Sequence, residues 1–146
     1  MEKLLRLVVQ TPSKQLVDMS DVQHVLCPST EGFMTLLPGH APLWAAVATG
    51  VLVYTRGNMS GFIKVAGGVV EVSPERCTFL VDVAEEAAHI DLERAKRALE
   101  RAEGRLAAKE LSNIDVARAQ AARDRAKARI EAALLHQQSR NHDPQL

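Results

Sequence analysis

Two patterns of hydrophobic positions divide this chain. From Leu4 to Val83, short apolar runs alternate with turn residues: Leu7-Val8-Val9 precedes Thr11-Pro12, and Gly67-Gly68 precedes Val69-Val70-Glu71-Val72. Runs of about four to seven residues at roughly ten-residue spacing are typical of an antiparallel β-sandwich or barrel. The front of the chain therefore predicts short strands around a core of Val, Leu and Ile, residues that favour strands.

Beyond residue 90 the apolar positions recur at steps of three and four. The first such series is Leu92, Ala95, Leu99, Ala102 and Leu106, and the second is Val116, Ala119, Ala122, Ala126, Ile130 and Ala133. This is the period of a helical seam, and the short connection 109–113 favours an antiparallel hairpin. Because the seams are mostly Ala, they bury little area, and Gly104 costs about 1 kcal/mol relative to Ala. We expect a hairpin that is marginally stable and can open.

The two helices begin with similar sequences, Ile90-Asp91-Leu92-Glu93-Arg94-Ala95 and Ile114-Asp115-Val116-Ala117-Arg118-Ala119. In each copy the Asp is predicted to be the N-cap residue. After Leu135 the chain becomes polar and contains a Pro, a composition that favours disorder. The predicted organisation is a β-sandwich over residues 1–88, a helical hairpin over 89–136 and a disordered tail over 137–146.

Charge is distributed unevenly although the formal net charge is zero. Residues 1–90 contain 6 Lys or Arg and 9 Asp or Glu, whereas residues 91–146 contain 12 and 9. An acidic front and a basic back indicate two modules with different partners. No apolar run reaches the roughly 18 residues of a membrane span, and residues 1–10 lack the small-residue cleavage site of a signal peptide.

Signatures of catalysis and metal binding are largely missing from the sequence. It contains no G-x-x-x-x-G-K-[ST], G-x-G-x-x-G, G-x-S-x-G or H-E-x-x-H motif, so we expect a protein that is not an enzyme. The five histidines form no H-x-x-x-H or H-x-H group, which argues against a metal site. Without a secretion signal, Cys27 and Cys77 are expected to be buried free thiols rather than a disulfide.

Arginines on the predicted helices are candidates for anion binding. Arg94 and Arg101 share a face of the first helix, and Arg125 and Arg129 share a face of the second. Guanidinium groups match phosphate oxygens in a bidentate manner, so the four side chains could converge on one polyanion. Spacing alone leaves open the alternative of an ordinary solvated face with pairs such as Glu93 with Arg97.

The loop Leu36-Leu37-Pro38-Gly39-His40-Ala41-Pro42 is the other unusual segment. Pro38-Gly39 fits a tight turn, and Pro42 keeps the preceding residue extended. His40 is either a contact point for a partner or a loop histidine bonded to the backbone, and local sequence leaves both open. Trp44, just beyond, is expected to pack in the core or in an interface.

Three motifs in order carry a family resemblance: Leu37-Pro38-Gly39-His40-Ala41-Pro42, Gly67-Gly68-Val69-Val70-Glu71-Val72 and Ile90-Asp91-Leu92-Glu93-Arg94-Ala95. From about Leu4 to Leu135 the chain closely resembles the epsilon subunit of the bacterial F-type ATP synthase. The resemblance implies a sandwich of about ten short strands followed by a helical hairpin, the architecture that the hydrophobic pattern also predicts.

The resemblance also implies a function. It indicates a non-catalytic rotor subunit of the proton-translocating enzyme that couples rotation to ATP synthesis. Its partners would be the gamma subunit, the c-subunit ring and, when the hairpin extends, the alpha/beta catalytic head, where the helices inhibit ATP hydrolysis. Attachment to the cytoplasmic face of the bacterial plasma membrane would be peripheral, through those partners.

Some members of this family bind ATP on the folded hairpin as a regulatory ligand, with no cofactor required. The resemblance transfers that site onto Glu85, Ile90, Asp91, Arg94, Ala95, Arg101, Arg125 and Arg129. Partner contacts are expected at Pro38, Gly39, His40, Pro42, Arg118, Arg123 and Lys127. Two alternatives are a stand-alone nucleotide- or anion-sensing module and a nucleic-acid binder. The second is disfavoured by the zero net charge and the 3% aromatic content.

Overall fold

The computed structural model describes residues 2–108 and 112–141. Within them the chain forms eight strands and then two helices, which confirms the predicted order of the two parts. The strands are β1 (Leu5–Gln10), β2 (Gln15–Val22), β3 (His24–Ser29), β4 (Gly32–Leu36), β5 (Leu43–Ala46), β6 (Gly50–Arg56), β7 (Met59–Val72) and β8 (Arg76–Glu86). A 3₁₀ turn (Ala87–His89) leads into α1 (Leu92–Ala107) and α2 (Asn113–Asn141).

The strands form a curled sheet around one apolar core. Their order is β2-β1-β8-β7-β6-β3-β4, and β5 pairs with β7. β1 runs parallel to β8, while the other pairs are antiparallel. Fully buried side chains from seven strands, including Leu7, Val25, Leu52, Val65 and Phe79, meet in the core. Aliphatic residues supply most of this core, as the composition predicted.

Strand β7 changes the face that it presents to the core at Gly67-Gly68. Ile63 and Val65 point into the core before the glycines, whereas Val70 and Val72 do so after them, so the two-residue alternation of a strand shifts by one position. Gly67 and Gly68 have φ angles of 67° and 130°. A Cβ on Gly68 would lie 2.1 Å from the carbonyl oxygen of Leu80. The two strands predicted on either side of these glycines are therefore one strand of 14 residues, which lowers the count from the expected ten or so.

The two helix starts differ although their sequences are similar. Asp91 caps α1, because its Oδ1 accepts the backbone N–H of Arg94 at 3.0 Å. In α2 the cap is Ser112, whose Oγ accepts the backbone N–H of Asp115 at 3.2 Å and donates to the Asp115 carboxylate at 2.8 Å. The predicted N-cap role of Asp115 is wrong. Ser112 and Asp115 form a reciprocal, capping-box-like pair that starts the helix earlier.

Helix α2 lies between α1 and the sandwich. α1 packs chiefly on α2 through small residues, with Ala95 and Ala102 buried on α1 and Ala119 and Ala126 on α2. α2 in turn contacts β6, β7 and the 3₁₀ turn. The predicted alanine seams therefore form the helix–helix contact.

The last part of α2 forms a second contact with the sandwich. Ala132 is fully buried against Val51 and Ala87, with Leu135 packed beside them. The helix continues to Asn141, so the prediction of disorder is wrong for residues 137–141, and residues 142–146 lie outside the described range. Once Ala132 and Leu135 fix the helix on the sheet, each added residue gains a hydrogen bond without a new nucleation cost.

Cys27 and Cys77 are free thiols, fully buried in the sandwich core. Burial raises the pKa of each thiol to about 12, so both stay protonated and unreactive near neutral pH. Among the described residues, no group of three or more His, Cys, Asp or Glu side chains is arranged to hold a metal ion. Neither described helix is both long and apolar enough to cross a bilayer.

Candidate functional site

A cationic cleft of about 450 Å³ lies between the sandwich and the helical hairpin. Its lining comes from the sandwich (Lys64, Val83, Glu85), from α1 (Ala98, Arg101, Ala102, Arg105) and from α2 (Ala122, Arg125, Ala126, Arg129). The charged members are five cations and one carboxylate. A concave site lined mainly by one sign of charge concentrates counter-ions of the opposite sign. The charge of the lining therefore favours an anion over a cation.

Helical periodicity places the arginines of the cleft. Arg101 and Arg105 are one turn apart on α1, and Arg125 and Arg129 are one turn apart on α2, so each pair shares a helix face. The residues between them that face the cleft are alanines, whose short side chains leave room for a ligand. The same small alanines that bury little area between the helices also leave the space that the arginines surround.

The sandwich supplies an ion-pair cluster on one side of the cleft. Nη2 of Arg129 lies 3.1 Å from Oε2 of Glu85, and Nζ of Lys64 lies 3.6 Å from Oε1 of the same carboxylate. Lys64 and Glu85 are opposite one another on β7 and β8. Burial lowers the pKa of Lys64, and the charges of Arg129 and Arg125 lower it further, while Glu85 opposes them. One carboxylate thus serves two cations.

One arginine of the cleft retains unused hydrogen-bonding capacity. Among the described residues, two buried arginine nitrogens have no acceptor, Nε of Arg129 in the cleft and Nε of Arg123 outside it. Buried donors are normally paired, because an unpaired one loses its bond to water without replacing it. An acceptor-rich ligand in the cleft would supply the missing partner.

The structure divides the predicted ATP residues into two groups. Glu85, Arg101, Arg125 and Arg129 line the cleft together. The remaining four, Ile90, Asp91, Arg94 and Ala95, lie at the start of α1 and outside the lining of the cleft.

Residues at the start of α1 also have evident structural roles. Asp91 caps the helix, and Ala95 is fully buried. Ile90 packs beside Val51 and Ala87. Arg94 is exposed; it precedes Arg101 by two helical turns, which corresponds to roughly 10 Å along the axis.

Two charged cleft residues, Lys64 and Arg105, were missing from the sequence-based prediction. Lys64 interrupts the apolar run Phe62-Ile63-Lys64-Val65, and a charged residue inside a buried strand is the signal that could have identified it. Arg105 follows Arg101 by four residues and belongs to the same face. Neither position falls on the motif that suggested the other residues.

The Pro38–Pro42 loop forms a turn on the sandwich. Gly39 has a φ of 84° and its N–H donates to the carbonyl oxygen of Pro74 at 2.8 Å. Nδ1 of His40 hydrogen-bonds the carbonyl oxygen of Ala41 at 2.7 Å. The backbone-bonded interpretation of His40 is therefore confirmed, and its contact with a partner stays a prediction.

Trp44 is on the surface of β5, with 63% of its area exposed. The core interpretation of this residue is wrong, which leaves the interface interpretation. Ala46, two residues further along β5, is opposite Val69, and Val69 is opposite Leu80 on β8. These exposed side chains form an apolar strip across the sheet.

The basic residues predicted to contact a partner are on α2 and outside the cleft lining. Arg118 and Lys127 are exposed. Arg123 is partly buried, with Nε 3.6 Å from the carboxylate of Asp124. Arg123 and Lys127 are four residues apart and share a helix face. Arg118 precedes Arg125 by two turns and lies on the cleft side of α2, beyond the lining. The partner contacts of all three stay predictions.

A β-sandwich joined to a two-helix hairpin, with a cationic cleft between them, defines a two-module protein. Residues 4–87 match the family model of the ATP synthase delta/epsilon chain beta-sandwich domain, and residues 89–133 match that of the delta/epsilon chain long alpha-helix domain. The chain belongs to the ATP synthase delta/epsilon chain family. This finding confirms the resemblance carried by the three motifs.

Curated relatives agree with the family match. An ATP synthase epsilon chain of Solibacter usitatus is 43% identical over 103 residues, which are 70% of this chain and 76% of the relative. The ATP synthase epsilon chain of Nitratidesulfovibrio vulgaris (strain DP4) is 44% identical over 107 residues, or 73% and 79% of the two chains. That of Anoxybacillus flavithermus is 40% identical over 107 residues, with the same coverage.

Solved structures share the fold. A chain in the Euglena gracilis mitochondrial ATP synthase OSCP/F1/c-ring structure aligns with a TM-score of 0.78 at 20% identity, covering 90% of this chain and 81% of that one. A chain in the Tetrahymena thermophila mitochondrial ATP synthase central stalk/c-ring structure aligns with a TM-score of 0.64 at 13% identity, covering 91% and 99%. At these identities the likeness establishes the architecture alone.

Proposed function

We propose that this chain is the epsilon subunit of a proton-translocating ATP synthase, a non-catalytic rotor subunit that couples rotation to ATP synthesis. The observation that carries the proposal is the family match over both modules, residues 4–87 and 89–133. The curated relatives at 40–44% identity have the name ATP synthase epsilon chain. Both modules occur here in the order of that family.

The sandwich supplies the contacts with the rest of the rotor. The apolar strip of Trp44, Ala46, Val69 and Leu80 is an exposed surface suited to the gamma subunit, since contiguous exposed apolar area marks protein interfaces. The Pro38–Pro42 loop contacts the c-subunit ring. Through these partners the subunit is peripheral to the cytoplasmic face of the bacterial plasma membrane.

The cleft binds the phosphate chain of ATP. Arg101, Arg125 and Arg129 converge on it from both helices, and guanidinium groups are suited to phosphate oxygens. The start of α1, with Ile90, Asp91, Arg94 and Ala95, receives the nucleoside. The roughly 10 Å between Arg94 and Arg101 along the helix is suited to an extended nucleotide.

Binding of ATP favours the closed hairpin because the cleft exists only when the folded hairpin is docked on the sandwich. A ligand shifts a conformational equilibrium by its differential affinity for the two states. At a ligand concentration of one hundred times Kd, the bias is about 2.7 kcal/mol. Low ATP therefore releases the hairpin.

The released helices inhibit ATP hydrolysis. α1 has 16 residues and α2 has 29, so at about 1.5 Å per residue they span roughly 24 and 43 Å. Extended along the stalk, α2 presents Arg118, Arg123 and Lys127 to an acidic surface of the alpha/beta catalytic head. ATP acts as a regulatory ligand that keeps the hairpin folded and so prevents this inhibition.

Calorimetric titration of the isolated chain with ATP tests the nucleotide site. We expect saturable binding that weakens by at least about tenfold in Arg101→Ala and in Arg125→Ala, since each removes a charged hydrogen bond. Arg97→Ala and Arg140→Ala are matched controls, because these exposed arginines are on the same helices outside the cleft. Equal weakening in all four variants would contradict a specific site.

Co-purification with the gamma subunit tests the rotor role. The wild-type chain is expected to form a stable complex, and Trp44→Ser should weaken it because the largest exposed side chain of the apolar strip is lost. Asp124→Ser, on the helical module, should leave the complex unchanged. A chain that binds ATP but no gamma subunit would instead be a stand-alone nucleotide-sensing module.

A further inference from the structure

Lys64 is a buried cation in the wall of the cleft. It is in the middle of β7 between Ile63 and Val65, which point into the sandwich core. Its own side chain lies on the opposite face, which it shares with Val51 on β6 and Glu85 on β8. Only 2% of Lys64 is exposed, yet it lines the cleft beside Arg129.

The charge of Lys64 is incompletely compensated within the protein. Within the part of the chain that the structure describes, its carboxylate partner is Glu85, which is 3.6 Å away and also pairs with Arg129 at 3.1 Å. An ammonium group has three donors, so one shared carboxylate leaves capacity for another anion. Burying a charge is costly unless it is paired, and an apolar residue of similar size would usually be tolerated as well or better. Packing alone does not account for a lysine here.

We propose that Lys64 is a further anion-binding residue, which contacts the phosphate chain of the bound nucleotide from the sandwich side of the cleft. This inference rests on the proposed binding of a nucleotide in the cleft. Glu85 is the counter-ion of Lys64 while the cleft is empty. When phosphate enters, Lys64 gains an acceptor and Glu85 remains paired with Arg129.

Lys64 gives the ligand a direct bond to the sandwich. The arginines of the cleft are all on the two helices, so a phosphate bound to them alone would hold the helices together without holding them on the sheet. A phosphate that also contacts Lys64 bridges β7 to Arg125 and Arg129 on α2. Through Lys64, ligand binding resists movement of the whole hairpin away from the sandwich.

This arrangement makes binding dependent on pH. The charged groups that line the cleft with Lys64 are Glu85 from β8, Arg101 and Arg105 from α1, and Arg125 and Arg129 from α2. The pKa of Lys64 is lowered in the empty cleft, whereas bound phosphate raises it. Nucleotide binding should therefore take up a proton, and affinity should fall as pH rises through the lowered pKa.

Calorimetry of the full chain with ATP at a series of pH values above neutral tests the proposal. Measurements in buffers of different ionisation enthalpy report the protons taken up. We expect Lys64→Met to bind at least about tenfold more weakly, since a hydrogen bond between charged groups is lost, and to show no buffer-dependent heat. Lys64→Arg should keep more affinity than Lys64→Met and lose the proton uptake. Lys96→Met, at an exposed lysine of α1 outside the cleft, should behave as wild type.

The outcomes separate this inference from the nucleotide site itself. If ATP binds the wild-type chain and Arg125→Ala weakens it, but Lys64→Met has wild-type affinity, the role of Lys64 is refuted and the cleft stands. If the wild-type chain gives no ATP binding at millimolar concentration, both proposals fail. Thermal unfolding of Lys64→Met verifies folding, and Lys64→Gln provides a second neutral variant if the Met variant is not folded.

Discussion

Arg129 on α2 and Glu85 on β8 form an ion pair, with Nη2 and Oε2 3.1 Å apart, that joins the helical hairpin to the sandwich. Lys64 on β7 reaches the other oxygen of the same carboxylate. Glu85 is 31% exposed on its side chain, so water screens the pair in part. The two modules therefore meet through an electrostatic contact at the cleft and an apolar contact at Ala132.

Glu85→Gln should loosen the hairpin. The change leaves Lys64 and Arg129 without their shared carboxylate, and we expect the closed state to lose about 1–2 kcal/mol, less than for a fully buried pair. Hydrogen exchange of α2 amides measures the opening. Glu93→Gln, which removes the exposed pair with Lys96, is the control and should cost under about 0.5 kcal/mol. Equal protection in the two variants would show that the Glu85 cluster does not hold the hairpin.

Ala132→Leu should displace α2 from the sandwich. Ala132 has no solvent-accessible area and packs against Val51 and Ala87. A larger side chain at such a buried site typically costs about 1–3 kcal/mol of stability. Limited proteolysis should cleave the hairpin faster while the sandwich resists. Ala117→Leu, at an exposed position of the same helix, should have no such effect. Similar cleavage rates for both variants would contradict this packing role.

Gly68→Ala should destabilise the sandwich, whereas Gly104→Ala should not. A Cβ at Gly68 would meet the Leu80 carbonyl oxygen, and its φ of 130° is unfavourable for other residues. We expect a loss of more than about 2 kcal/mol in urea-induced unfolding. Gly104 is within α1 with nothing within 4 Å of a Cβ, so Ala there should stabilise the helix by about 1 kcal/mol. A neutral Gly68→Ala would refute the close approach of β7 and β8.

The two thiols should react only when the sandwich unfolds. Cys27 and Cys77 are fully buried and their pKa values are raised to about 12, so at pH 8 both lack access and thiolate character. Ellman's reagent should label neither in buffer and both in denaturant. Rapid labelling of the native chain would show that the core opens.

Local rules succeeded where neighbouring residues settle the structure. The alanine seams gave two helices, the apolar runs gave strands, and Asp91 was recognised as a cap. The same rules failed at Asp115, because Ser112 caps the helix instead. They also failed at Gly67-Gly68, because paired glycines can mark either a turn or a point where one continuous strand changes the side that faces the core. Helical spacing named Arg101, Arg125 and Arg129 as candidates for anion binding, whereas Glu85 was named only through the family resemblance.

The sequence by itself determined the order of the two modules, the helical and strand periods and the family, since these depend on local hydrophobic pattern and on motifs. Tertiary structure decided which charges meet. Lys64, Glu85 and Arg129 are far apart in the chain, and only strand pairing and the docking of α2 bring their side chains together. Tertiary packing also extended α2 to Asn141, because burial of Ala132 and Leu135 on the sheet supplied the stabilisation that a polar segment lacks on its own.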